Sequence, residues 1–572
     1  MILISPNHVV YRKTPESNSD FLETTVMLPG EVVSSIQKIV TRDEFLYTNY
    51  RVIYRSMDRS KIAAIPNVVI ESAELSKDLL AAVVMCKNGR QYRFRTSTTA
   101  DAYAIIDKMS QIACTQRYIN DFYTSQVPQG PSTPPWLKGD PEIGLPLPQL
   151  ETEFQRLHFS TYWKLSNCNL NYGISKTYPP YLIVPKGVTD HFLAKTAEGR
   201  FKGRIPVAVW RDSNSAAVLL RSSQPVISLI GNPLEEDVRL VDLCRLATGE
   251  DSKFVIIDCR AYTSALANRA KGGGFESPTV YQHCKVKFMN LPNIHYVRNA
   301  FVEFRKALAS GNSLRGTEWL KAVGCIIASA KRCSEYLGKG ISVLVHCSDG
   351  WDRTTQIVSL AKLLGDPYYR TMEGFEVLVR SDWIGFGHKF NDRNFTFNSP
   401  STEAERSPIF LQWLDCVFQL CVPTAFGFNQ NYLVKIAQHC YSGLFGTFIF
   451  NSLKEHKDVM AGAGKEVLPS LWTFFRYCSS RFKNRNFNPE DVSLTIPSNS
   501  EIVLWKEVYM TDDERKKNLT MANSDSSLNF LNIFDVDGLT RLVNIGLRPR
   551  GEVDVSSEAN HKIDKAVEHS GL

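Results

Sequence analysis

A cysteine and an arginine six positions apart, Cys347 and Arg353, carry the chemistry this sequence offers most plainly. They stand in the stretch His346-Cys347-Ser348-Asp349-Gly350-Trp351-Asp352-Arg353-Thr354. An apolar run, Ile341-Ser342-Val343-Leu344-Val345, leads in, and a helix-compatible run, Thr354 to Leu364, leads out. Strand, tight loop and helix in that order make an anion site, because N–H groups of the loop and the first helical turn converge on one point. A thiolate placed there can attack a phosphorus atom.

A phosphate monoester carries nearly two negative charges, and its oxygens shield the phosphorus. Hydrolysis needs those charges neutralised, a nucleophile, and a proton for the leaving alkoxide. Cys347 is the candidate nucleophile. A thiol ordinarily titrates near ~8.5, and a helix N-terminus with a nearby cation favours its thiolate. Thr354 can donate its hydroxyl to the same sulfur. Arg353 supplies a planar fork that matches two phosphate oxygens. Gly350 lets the loop adopt φ > 0. The remaining N–H groups, on Ser348, Asp349, Trp351 and their neighbours, are preorganised donors for the equatorial oxygens. For the proton there are two candidates, Asp349 and Asp352. The adjoining Arg353 disfavours the acid form of Asp352, whereas a bound phosphate and the thiolate push the other way. The residues themselves leave the choice open. A bare Cys-x5-Arg match arises by chance, and most buried cysteines are inert. Here the apolar strand, the glycine, the helix and the Arg-Thr ending favour phosphate over rhodanese-type sulfur transfer.

Elements must hold that loop, and the chain is long enough to supply them. Its 572 residues, 43% hydrophobic and 22% charged, have room for two or three domains. The net charge of +7 is too mild to argue for nucleic acid. Thirteen singly scattered cysteines fit a reducing compartment rather than a disulfide scaffold or a zinc ribbon. No cofactor and no metal site are expected. Met1 to Arg12 does not read as a signal peptide, and no apolar run approaches the ~18 residues that span a bilayer. The expected location is cytoplasmic, with peripheral membrane contact only.

Residues 1–125 read as a β-rich unit closed by a helix. Phe45 to Tyr54 alternates weakly, and Leu79 to Phe94 reads as a hairpin around Asn88-Gly89. Ala102, Ile105, Ile106, Met109, Ile112 and Ala113 follow helical spacing. This order suggests a pleckstrin-homology-like sandwich. Seven prolines between 126 and 149 mark a linker. Residues 150–515 mix strands such as Phe254 to Asp258 and Ile341 to Val345 with helices at Trp319 to Tyr336, Thr354 to Leu364 and Ile409 to Leu420. That pattern predicts an α/β fold, a central sheet flanked by helices. Residues 516–572 form a polar tail, and its composition is open to disorder.

The string His346 to Thr354 closely resembles the active-site signature of the myotubularin family of phosphoinositide phosphatases, unbroken over nine residues. Ala267 to Glu276, Asn293-Ile294-His295, Tyr368-Tyr369-Arg370-Thr371 with Gly374-Phe375, Phe386 to Phe390, and Ser407-Pro408 with Phe410 and Gln412 are similar to the family too. The resemblance covers roughly residues 20 to 510. It implies a cysteine-phosphatase-like central sheet preceded by a β-sandwich PH-GRAM domain. It implies removal of the 3-phosphate from phosphatidylinositol 3-phosphate and phosphatidylinositol 3,5-bisphosphate, through a phosphocysteine. The family lacks the separate Trp-Pro-Asp acid loop of tyrosine phosphatases, and so does this sequence. The family assigns the proton donor to the second loop aspartate, here Asp352. By the same resemblance Asn268, Asn293 and Ile294 hold the diester phosphate, and Lys271, Lys389 and Arg393 supply positive potential. It further implies phosphoinositide lipids at endosomal membranes as partners, and an oligomer with itself or with family members.

Read without the family, the Gly-rich stretch after Lys271 is a turn, and Lys389 with Arg393 is a solvated pair one helical turn apart. Many family members carry arginine where Lys389 stands. No coiled coil and no Cys/His cluster of a zinc-binding FYVE module follows the signature. Two other readings compete. One is a catalytically weak adaptor that binds phosphoinositides, disfavoured by the retained Cys347, Asp352 and Arg353. The other is a protein tyrosine phosphatase, disfavoured by the missing Trp-Pro-Asp.

Overall fold

Strand β1 (Val33–Lys38) opens a four-stranded antiparallel sheet in the order β1-β2-β3-β4, with β2 at Glu44–Thr48, β3 at Arg51–Arg55 and β4 at Ile62–Pro66. The computed structural model describes Thr25 and residues 27–510, except 59–60, 116–118, 228–232, 250–252, 271, 311–316, 396–402, 422–423, 466, 489–493, 495 and 499–500. The expected tail at 516–572 lies outside the described residues. β5 (Ile70–Leu75), β6 (Ala81–Cys86) and β7 (Gln91–Arg95) form a second antiparallel sheet, and helix α1 (Thr99–Thr115) packs on β5 and β6. Phe94 meets Phe45 and Tyr54 at 5.1 and 4.9 Å between ring centres, joining the two sheets. The arrangement fits a sandwich.

Phe45 to Tyr54 alternates only weakly because it is two strands rather than one. Thr48 Oγ1 accepts the N–H groups of Tyr50 and Arg51, which turns β2 back into β3. β2 is buried along its whole length, so no polar face marks it in the sequence. The hairpin at Asn88-Gly89 is present as β6 and β7, with Gly89 at φ +77°.

The proline-rich stretch packs along the molecule. Trp136 and Leu137 are buried, and the short strand β8 (Gly139–Asp140) pairs with Leu468–Pro469. Helix α2 (Leu147–Arg156) starts inside that stretch and carries Pro148 in its first turn, where a missing N–H leaves no bond unmade.

A seven-stranded mixed sheet follows. Its strands are β9 (Trp163–Ser166), β10 (Leu182–Pro185), β11 (Val207–Arg211), β12 (Val218–Arg221), β13 (Phe254–Asp258), β14 (Cys284–Phe288) and β15 (Ser342–His346). Their order is β14-β13-β15-β12-β11-β10-β9. β14, β13, β15 and β12 run parallel, and the remaining pairs are antiparallel. β13 and β15 are buried at every position, as parallel strands covered on both faces require. Four of the helices matter most to the site. They are α3 (Tyr262–Arg269), α4 (Ile294–Ala309), α5 (Glu318–Gly338) and α6 (Arg353–Gly365); α5 and α6 pack on each other and on β15.

The β-rich unit is docked through its β6–β7 turn. Arg305 of α4 donates to Gly89 O, and a Cβ on Gly89 would stand 2.6 Å from the Phe301 ring. Gly89→Ala therefore combines a positive φ with a collision. It should lower unfolding stability by about 1–3 kcal/mol in denaturant titrations. An unchanged midpoint would show that this turn does not hold the two units together.

Candidate active site

β15 ends at His346 between β13 and β12, the loop 347–352 turns at its tip, and α6 begins at Arg353. The loop's carbonyls are drawn outward into the scaffold. Ser348 O accepts from Gln224 N–H at 3.0 Å, and Trp351 O lies 2.9 Å from His388 Nδ1. Gly350 O accepts from two buried guanidiniums, Arg204 Nη2 at 2.9 Å and Arg221 Nη2 at 3.0 Å. Gly350 has φ +82°, and a Cβ there would lie 2.3 Å from Ser222 O. Its N–H points inward and donates to Cys347 Sγ at 3.3 Å. The buried sulfur thus lies at the head of α6, where N–H groups and the helix dipole favour an anion.

Arg353 is half-buried, and its Nη1 donates to Leu291 O at 3.3 Å, which ties it to the segment entering α4. The Thr354 hydroxyl departs from expectation. It is buried with no hydrogen-bond partner among the described residues, and the sulfur takes its bond from Gly350 instead.

The two carboxyls are pushed apart. Burial and the neighbouring Asp352 charge raise Asp349, with Arg204, Arg393 and Lys202 opposing. Burial would raise Asp352 too, but Arg393 and His388 outweigh it and hold this carboxyl well below the usual carboxylate range. Arg393 grips both Asp352 oxygens, at 2.9 and 3.2 Å, and His388 Nδ1 lies 3.2 Å from Oδ1.

Of the outlying candidates, Asn268, Lys389 and Arg393 touch this loop. Asn268, on α3, donates to Ser348 Oγ and to Gln224 Oε1, both at 3.3 Å. Asn293 is exposed and caps α4 by accepting from Tyr296 N–H, while Ile294 O accepts from Ser407 Oγ at 2.8 Å. The Lys389 ammonium sits 5.0 Å from the centre of the Trp351 ring. Arg393 N–H reaches Lys389 O at 2.8 Å, so the two do share a turn. They are not a solvated pair, because Arg393 is buried on Asp352 and Glu405. Lys271 lies outside the described residues.

Sequence reasoning missed the residues that position the loop. Arg204 stacks 4.4 Å from the Tyr178 ring centre and 5.6 Å from that of Trp351. Burial pushes its guanidinium down to about 10, still charged at neutral pH. Behind the loop lies a buried ionic chain. His346 Nε2 is 2.9 Å from Glu276 Oε2, an ion-pair contact off the hydrogen-bond line. Glu276 Oε1 meets Arg200 at 2.7 Å, Arg200 grips Asp237, and Asp237 accepts from Tyr281. His346 Nδ1 lies 3.1 Å from Cys347 O. Only Glu276 carried a hint, at the end of the stretch that begins with Ala267.

The chain matches the family described as Myotubularin-like phosphatase domain over residues 136–457. It is 36% identical over 549 residues to the phosphatidylinositol-3,5-bisphosphate 3-phosphatase MTMR3 of Caenorhabditis elegans, covering 86% of this chain and 54% of that one. It is 31% identical to the myotubularin of Xenopus laevis, covering 87% and 88%, and 32% identical to the phosphatidylinositol-3,5-bisphosphate 3-phosphatase MTMR2 of Bos taurus, covering 87% and 80%. The chain thus spans about half the length of the nematode relative and most of the other two.

The ionic chain sets a pH dependence. Burial would lower His346, but Glu276 and Asp258 outweigh it and raise its pKa. Its contribution is complete below ~6.5, the value of a free imidazole, and fades as pH climbs through the raised value. Glu276 is held well below its ordinary value by His346 and Arg200 against its burial, so its contribution is lost only in strong acid. Glu276→Gln should cost about 3–5 kcal/mol at pH 6. The gap to the parent protein should narrow as pH rises to 9. A gap constant across that range would mean that His346 does not change its charge in the fold between pH 6 and 9.

Proposed function

The chain belongs to the myotubularin-like phosphatase family, and from that premise we propose that it is a phosphoinositide 3-phosphatase. Its substrates are phosphatidylinositol 3-phosphate and phosphatidylinositol 3,5-bisphosphate. The observation that carries the reading is the loop itself: a buried cysteine sulfur under an inward N–H, at the head of a helix, with the loop carbonyls drawn away from it. The printed names of two relatives, both 3-phosphatases of phosphatidylinositol 3,5-bisphosphate, support the lipid substrate.

In the proposed reaction the Cys347 thiolate attacks phosphorus, and the bond from phosphorus to the inositol 3-oxygen breaks. Arg353 and the loop N–H groups take up charge on the equatorial oxygens. Asp352 gives its proton to the leaving oxygen. The free protein holds Asp352 ionised. A bound phosphate dianion pushes it back toward the acid, because a neighbouring negative charge favours the neutral form. Water then attacks the phosphocysteine and releases phosphate and the thiolate.

Asn268, Asn293 and Ile294 are proposed to meet the diester phosphate. Lys271, Lys389 and Arg393 supply positive potential to the headgroup. The β-rich unit is proposed to be a PH-GRAM domain, and residues 150–515 the phosphatase domain. The protein acts peripherally on the cytoplasmic side of endosomal membranes. No helix among the described residues is long and apolar enough to cross a membrane.

Phosphate release from a panel of phosphoinositides and a phosphotyrosine peptide tests the reading. Only 3-phosphorylated lipids should turn over, and Cys347→Ser should abolish release. Turnover confined to the peptide would sink the lipid assignment. Asp352→Asn should slow lipid turnover by about 10²–10⁴-fold, and far less on an aryl phosphate whose leaving group needs no proton. If Asp349→Asn shows that pattern instead, the donor is Asp349.

A further inference from the structure

Cys259 is a buried nucleophile that the proposed reaction leaves unused. It stands one residue beyond β13, as Cys347 stands one residue beyond β15. The two strands run parallel and in step, with Ile257 opposite Val345 and Asp258 opposite His346. The next positions are therefore Cys259 and Cys347. The ladder still holds there, because Cys259 N–H donates to His346 O at 2.9 Å. On its other side Cys259 O accepts from Leu291 N–H, also at 2.9 Å, so the residue is fixed in line with its strand.

Two sulfurs at such positions can be joined. Side chains alternate along a strand, so Cys259 and Cys347 leave the sheet on the same face. Neighbouring strands lie ~4.8 Å apart, and a disulfide spans Cα atoms ~4.4–6.8 Å apart. Charge reports the same closeness. Burial pushes the Cys259 thiol well up, and the strongest electrostatic push in that direction comes from Cys347, ahead of Asp258. Cys333 of α5, also buried, acts on Cys259 more weakly than either. Most buried cysteines only fill space. This one is set one ladder step from the sulfur that does the chemistry, and both are free thiols.

We propose that Cys259 is a resolving thiol for Cys347, closing a reversible disulfide with it after oxidation by hydrogen peroxide. The proposal rests on the reading of Cys347 as a thiolate nucleophile, and it adds a redox control to that site. In the first step the Cys347 thiolate attacks one oxygen of the peroxide. The O–O bond breaks, hydroxide leaves and takes a proton from solvent, and Cys347 becomes a sulfenic acid. The charge that helped to keep Cys259 protonated is then gone. In the second step the Cys259 sulfur attacks the Cys347 sulfur, its proton passes to the departing hydroxide, and one water is released. Across both steps two thiols lose two electrons and one peroxide becomes two waters. The disulfide removes the nucleophile, so turnover stops. It also keeps Cys347 from the sulfinic and sulfonic acids that a thiol cannot reverse.

The test treats the full reduced chain with hydrogen peroxide, blocks the remaining thiols with N-ethylmaleimide and maps linked peptides by mass spectrometry. Inositide turnover is measured before peroxide, after it, and after dithiothreitol. A peptide pair joined through Cys259 and Cys347 should appear, and dithiothreitol should restore most of the lost turnover. Cys259→Ala should turn over like the parent before peroxide, which also shows that it folds. After peroxide its Cys347 should carry sulfinic acid, and dithiothreitol should restore about tenfold less turnover than in the parent. Equal recovery in the two proteins overturns the proposal, as does a disulfide that joins Cys259 to Cys333 or Cys347 to any other cysteine. If neither protein turns over an inositide, the lipid reading falls, and the linked peptide still decides for or against Cys259.

Discussion

Two buried guanidiniums on one carbonyl decide what the rest of this structure can do. Arg204 and Arg221 converge on Gly350 O, and with that oxygen held outward the loop must turn its amide side toward Cys347. Burying such charges costs several kcal/mol each, by order of magnitude. Arg221 offsets the cost with Asp382, which Lys362 also grips at 2.6 Å. Among the described residues Arg204 has no carboxylate in contact. Its two terminal nitrogens donate to the oxygens of Thr177, Gly350 and Phe386, its Nε finds no partner among the described residues, and its plane lies against the rings of Tyr178 and Trp351. The acidic groups acting on its charge include Asp349 and Cys347 of the loop itself. A site with that surplus is completed by a bound anion, as the proposed phosphate substrate would be.

The same logic runs behind the loop with the opposite balance. Arg200, Asp237, Glu276 and His346 are fully buried, and each charge has a partner. A closed chain of this kind balances its own charges. It fixes the ring of His346 beside the Cys347 carbonyl, and so fixes where the strand ends and the loop begins. One layer therefore supplies field and the other supplies position.

What the sequence makes legible is local. The apolar run before Cys347, the helix after Arg353 and the strand at Phe254 to Asp258 all stand within a residue or two of their expected places, because burial and helical spacing are written in neighbouring residues. The loop's partners are not local. Arg204, Arg221, Gln224 and Glu276 meet it only because β15 is inserted between β13 and β12, an order that no pattern within those strands encodes. Arg393 was readable as a cation, but its engagement with Asp352 depends on how the chain returns after Phe386. Thr354 was misplaced for a related reason. One helical step decides which way its hydroxyl faces, and the neighbouring Gly350 N–H already fills the role expected of it.

Arg393 then links the two demands that the proposed chemistry makes. A headgroup with several phosphates needs a cation beside the loop, and a proton donor in the loop needs a carboxyl that is not permanently ionised. In the free protein the guanidinium serves the carboxylates of Asp352 and Glu405, and the first pairing keeps Asp352 charged and, through that charge, helps to raise Asp349. A phosphate arriving at the same guanidinium shares its positive charge and adds negative charge near Asp352, and both changes move this carboxyl toward the acid form. A fixed separate acid loop would carry its proton whatever is bound. In the proposed reaction readiness to donate is coupled to occupancy by a polyanion, so the pairing that looks inhibitory without substrate would tie protonation of the leaving group to the presence of substrate.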